Sequence, residues 1–77
     1  MRETILEILK ETNRAIDYQK ETALIDDKLI DSLELMEIIS DLESAFQIEI
    51  GMEEIVPANF NSVEAIEQMV SRLSKKA

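Results

Sequence analysis

The sequence predicts an all-α fold, a small bundle of three main helices plus one short helix, with a long first loop. Three observations predict it. Three stretches carry apolar residues at helical spacing, Gly and Pro are absent from their interiors, and no pair of alternating runs is available to build a sheet. At 77 residues the chain has room for one domain, read here over 1–77. A domain of that size buries only about 60% of its unfolded surface, so little apolar surface is left idle.

In the first helix Ile5, Ile8, Leu9, Thr12 and Ile16 share one stripe, with Glu3, Glu7, Lys10, Glu11 and Arg14 off it. A loop of about a dozen residues follows, Gln19 to Ile30. Loops of that length are uncommon in small domains and are often functional. Its apolar residues Ala23, Leu24, Ile25, Leu29 and Ile30 are expected to be pinned to the core. The second helix presents Leu35, Ile38, Ile39, Leu42, Ala45 and Phe46 on one side, and Asp31 with Glu34 three residues later forms a capping box at its start. Ser32 can share the capping role.

After the second helix, Ile48 and Ile50 alternate with Gln47 and Glu49, but a lone strand has no partner, so an extended turn at Gly51 is expected. A short helix near Met52 to Val56 follows, ended by Pro57, and Phe60 anchors the connection. The third main helix carries Val63, Ile66, Met69, Val70 and Leu73, with Ser62 as its N-cap. Lys75 and Lys76 complement the negative end of its dipole.

Composition excludes several function classes. There is no Cys and no His, so a disulfide framework, a thiolate nucleophile, a His-based triad and a His or Cys metal site are ruled out. The net charge of -9 opposes binding to nucleic acid or to an anionic membrane surface, both of which are recognised by basic groups. No apolar run approaches the about 20 residues of a membrane span. Met1 to Thr4 is not followed by the apolar core of a secretory signal, so the expected compartment is the cytoplasm. Glu53 and Glu54 are adjacent and do not converge on one helix face, and no motif supports catalysis. A non-catalytic monomer is expected.

From Leu29 to Ser71 there are ten acidic residues and no basic one. Such a one-sign field is either a solvated face that keeps the chain soluble or a docking surface for basic partners. Ser32 stands where the long loop meets the acidic helix. A serine there is ordinarily a cap, and without His it has no activating base within the chain. The helix N-terminus does favour a phosphate ester at that position.

Asp31-Ser32-Leu33, followed by Glu37, Leu42-Glu43 and Phe46-Gln47-Ile48-Glu49-Ile50, resembles the acyl carrier proteins. The resemblance covers nearly the whole chain, including the long first loop and the acidic second helix. It implies that Ser32 carries a covalent 4'-phosphopantetheine arm from coenzyme A, flanked by Asp31 and Leu33, with an acyl or aminoacyl group held as a thioester on the arm's thiol. A chain without Cys thereby presents a thiol. The resemblance also gives the acidic face a purpose. It implies docking of enzymes with basic patches on Glu34, Met36, Glu37, Glu43, Glu49 and Ile50. From the residues alone, Met36 reads equally as core, and Glu43 as merely solvated. The implied partners are a phosphopantetheinyl transferase, an acyl- or aminoacyl-loading ligase or transferase, and downstream enzymes of fatty acid, polyketide or related biosynthesis.

Three positions depart from the fatty-acid type: Ile30 where Gly is common, polar Ser40 where an apolar residue is common, and a longer connection from Ile50 to Val63. The Leu-Ile-Asp-Ser start, the Ile55 spacing and Asn59-Phe60-Asn61-Ser62 look more like D-alanyl carrier proteins, which work with an adenylating ligase. Glu34-Leu35-Met36 departs from that pattern in turn. Acyl and aminoacyl cargo both stay open, as does an unmodified acidic interaction module. Met36, Met52 and Met69 are expected to make the core adaptable, with a cargo chain sheltered between the second and third helices.

Overall fold

A computed structural model describes residues 1–75. Helix α1 spans Arg2–Thr12 and α2 Ser32–Phe46. A 3₁₀ turn at Met52–Glu54 follows, then α3 over Pro57–Phe60 and α4 over Val63–Ser74. No strand occurs among the described residues. The all-α bundle expected from periodicity is therefore what forms, with α1 packed on α2 and α4, and α3 on α4.

The core is apolar throughout: Ile5, Leu9, Leu24, Ile38, Leu42, Phe60, Ile66, Met69 and Val70 are almost wholly enclosed, and no described polar residue is buried. Leu24 and Ile30 of the first loop join it, while Ile25 and Leu29 pack on its edge. One side chain ties that loop down. Asn61 Oδ1 accepts from the N–H groups of Ile25 and Asp26 at 3.0 and 3.1 Å, and its Nδ2 donates to Asp26 Oδ2 at 3.1 Å. Its backbone carbonyl accepts from Leu24 N–H at 2.9 Å.

Two expectations are corrected. The stripe of the first helix ran on to Ile16, but α1 stops at Thr12, so the first loop begins at Asn13 rather than Gln19. Asn13 turns extended, and its Oδ1 accepts from Ala15 N–H at 3.0 Å, a local bond that competes with further helix. The Tyr18 hydroxyl then meets the last carbonyls, Leu9 O at 3.0 Å and Asn13 O at 2.7 Å. Ile16 still packs against the core, from the loop.

Pro57 was expected to end a helix over Met52 to Val56. It starts one instead, at the first position of α3, where a missing N–H costs nothing and a fixed φ suits the helix. Residues Met52–Glu54 form only the 3₁₀ turn.

Two caps match expectation. Asp31 and Glu34 form the full capping box, with Glu34 N–H to Asp31 Oδ1 at 2.8 Å and Asp31 N–H to Glu34 Oε1 at 3.1 Å. Ser62 Oγ accepts from Ala65 N–H at 3.0 Å. Lys75 is the C-cap of α4, and Lys76 lies outside the described residues. Helix α2 ends on Gln47 in the left-handed region, φ 56° and ψ 49°, without the glycine usual there.

Candidate functional site

Ser32 is the first residue of α2 and is exposed. The cap at this helix end is made by the Asp31 carboxylate, so the Ser32 hydroxyl is not drawn into it. No hydrogen bond among the described residues uses Ser32 Oγ. Ser62, the other serine at a helix start, has its oxygen engaged by Ala65 N–H. The two sites differ because an aspartate precedes Ser32 and takes the bond that a serine would otherwise accept.

Along the outer side of α2, Ser32, Met36 and Ser40 lie at four-residue spacing in one row, and Leu33, Glu37 and Asp41 in the next, all exposed. Leu33 is 73% exposed and Met36 is 56% exposed. Met36 is therefore an outward residue and not a core one. With Glu34, Glu37, Asp41 and Glu43 on α2 and no cation, the helix combines apolar tips with an acidic field.

Other expected site residues fall elsewhere. Ile50 was expected on the partner face, but its side chain is buried at 7% exposure; the extended run after α2 turns it inward. Glu43 is half-buried and structural, its Oε2 accepting from Ile50 N–H at 2.8 Å. Glu34 is occupied in the capping box. Glu49 is exposed. Met52, read as part of an adaptable core, stands 88% exposed instead, because the 3₁₀ turn buries none of its residues. Of the three methionines read that way, Met69 alone is in the core.

Sequence reading missed two ion pairs seen among the described residues: Arg2 with Glu67 at 2.9 Å and Arg72 with Glu54 at 2.8 Å. The segregation of basic residues to the ends was the available signal, since it leaves the acidic middle with terminal partners. A hollow of about 340 Å³, lined by residues including Arg2, Tyr18, Thr22 and Glu64, lies away from α2. Among the described residues no group of three or more carboxylates is placed to hold a metal ion. No described helix is long and apolar enough to cross a membrane.

Over residues 1–70 the chain matches the family model described as the phosphopantetheine attachment site. The chain belongs to that family. Among curated proteins, the probable acyl carrier protein PigG of Serratia sp. (strain ATCC 39006) is 34% identical over 53 residues. The match covers 69% of this chain and 61% of the relative, so the chain spans under two thirds of that protein's length. No solved structure matches the chain.

Membership makes this a non-catalytic carrier domain whose prosthetic group is covalent 4'-phosphopantetheine. The residues fit the group. An exposed hydroxyl with no internal bond stands at the N-terminal end of a 15-residue helix, where free N–H groups and the dipole favour a phosphate.

Proposed function

We propose that Ser32 is the attachment residue, flanked by Asp31 and Leu33, in a single carrier domain spanning 1–77. One observation carries this reading: of the two serines at helix starts, Ser32 has an exposed oxygen that is not consumed by a cap. Asp31 holds the helix end in place of Ser32, so esterifying Ser32 removes no bond from the fold. In the attachment reaction Ser32 Oγ loses its proton and forms the new bond to the pantetheine-side phosphorus of coenzyme A as the pyrophosphate P–O bond breaks, and adenosine 3',5'-bisphosphate leaves. The chain contains no His to accept that proton, so the base belongs to the transferase. When bound, the group supplies a thiol that holds cargo as a thioester.

Leu33, Met36 and Glu37, with Glu49, form the surface offered to partner enzymes. Its exposed apolar tips give the contact area, and its acidic field orients partners with basic rims and speeds their encounter more than it adds affinity. Ile50 and Glu43 act behind that surface by shaping the turn after α2. The partners proposed are a phosphopantetheinyl transferase, a loading ligase or transferase, and biosynthetic enzymes of the fatty acid or polyketide kind. The cytoplasm is the proposed compartment. The name of the Serratia relative supports the carrier role, and the cargo proposed is an acyl or aminoacyl group.

Intact mass before and after incubation with coenzyme A and a broad-specificity phosphopantetheinyl transferase tests the assignment. The expected result is a gain of one phosphopantetheine that is absent in Ser32→Ala. Modification of the Ser32→Ala variant, or no gain with a correctly folded wild-type chain, would overturn it.

A further inference from the structure

Met52–Glu54 buries none of its residues, and the apolar hold on this segment is Ile55, partly buried against the core just after the turn. Its backbone bonds are local: Glu54 N–H to Gly51 O at 2.9 Å, Ile55 N–H to Met52 O at 3.1 Å and Val56 N–H to Glu54 O at 2.9 Å. The reach to α4 is polar. Arg72 on the last turn of α4 grips the Glu54 carboxylate with both nitrogens, Nη1 to Oε2 at 2.9 Å and Nη2 to Oε1 at 2.8 Å. Such fork-on-fork pairs are the strongly directional kind. Asn59 Nδ2 adds bonds to Glu54 O at 2.8 Å and Glu54 Oε1 at 3.2 Å.

The surroundings set this pair apart from the other. The Glu54 side chain is 12% exposed, against 31% for Glu67 in the Arg2 pair. An ion pair shielded on one side is screened less and bound more firmly than one open to water. At the upstream end the segment is again held by a carboxylate, Glu43 on Ile50 N–H. Between these two ties sit exposed Met52 and, after the turn, Val56 at 42% exposure.

We infer that the Glu54–Arg72 pair is a latch that holds the Gly51–Val56 segment against α4 as a separately releasable flap. Released, the flap moves Met52 and Val56 while the core of α1, α2 and α4 stays closed. The latch stands independently of the Ser32 assignment. Salt is its natural probe, because it acts with opposite signs on the two parts of the molecule. Screening relaxes the self-repulsion of a chain at -9 and steadies the bundle, yet it weakens the ion pair that ties the flap to α4.

Hydrogen exchange of the full chain, read by mass spectrometry at low and high NaCl, tests this in the wild type, Arg72→Met and Arg72→Lys. Arg72→Met is expected to speed exchange of the Glu54, Ile55 and Val56 amides by about tenfold and leave α1 and α2 unchanged. Arg72→Lys, which keeps the charge and loses the fork, falls between. In the wild type, salt speeds exchange in the flap and slows it in the helices; in Arg72→Met the acceleration disappears. Equal acceleration across all helices in Arg72→Met would make the pair a general brace, and unchanged exchange at 54–56 would assign the segment's hold to Ile55 packing. Either result overturns the latch.

Discussion

Tyr18 is the chain's single tyrosine, and the chain has no Trp, so its titration and its role in stability are both open to direct measurement. Its ring is buried at 4% exposure and its hydroxyl faces two carbonyls at the end of α1. One proton serves one carbonyl at a time, and Leu9 O also receives Asn13 N–H at 2.9 Å. In Tyr18→Phe, Leu9 O keeps that partner and only Asn13 O, on a half-buried residue, loses its own. The expected cost at neutral pH is about 1 kcal/mol. In a domain of this size that lowers Tm by about 4–8 °C.

Burial, with a smaller contribution from the Glu34 charge, pushes the Tyr18 pKa from 10.0 up to about 12. Below pH 10 the phenol is protonated in both folded and unfolded chains, so its contribution to stability is fully present. From pH 10 to about 12 the unfolded chain releases the proton while the folded chain retains it, so stability falls as pH rises. The Phe variant has nothing to titrate there and falls less steeply. Its deficit at neutral pH therefore narrows across that window. Tyrosinate absorbance gives the midpoint, and urea unfolding followed by circular dichroism gives the stability of both proteins. A midpoint near 10, or a Phe variant as stable as wild type at neutral pH, would refute the role assigned to this hydroxyl.

Asp31→Ala removes the cap of α2 and is expected to cost about 1 kcal/mol in urea unfolding, whereas Asp31→Asn, which keeps an acceptor for Glu34 N–H, costs less. Gln47→Gly relieves a non-glycine residue at φ 56° and is expected to raise stability by about 0.5–1 kcal/mol, seen as a higher urea midpoint at unchanged slope. Asn61→Ala strips three bonds from the first loop, leaving only its backbone bond to Leu24. Faster hydrogen exchange at Ile25 and Asp26 is expected, ahead of any change at Ile38 or Leu42 in α2.

The order and faces of the three main helices were legible in the chain because their evidence is local. Apolar spacing names Ile5, Ile8 and Leu9, or Ile66, Met69 and Val70, as one side of a helix, and Asp31 with Glu34 or Ser62 marks a start within four residues. The place of Ser32 at the exposed start of α2 was legible in the same way, from the capping box beside it.

What the chain alone did not decide depends on partners distant in sequence. Ile16 fits the stripe of α1, yet Asn13 and Tyr18 close the helix before it, through bonds that periodicity does not register. Pro57 is compatible with either end of a helix, and the packing of Phe60 on α4 places it at a beginning. Met36 borders the apolar stripe of α2, and Ile50 lies in the alternating run after it. Tertiary packing turned Met36 out to water and Ile50 into the core, because only one face of α2 and one side of the turn after it meet the other helices. Glu54 and Arg72 stand 18 positions apart, and it is the fold that brings their charges to 2.8 Å.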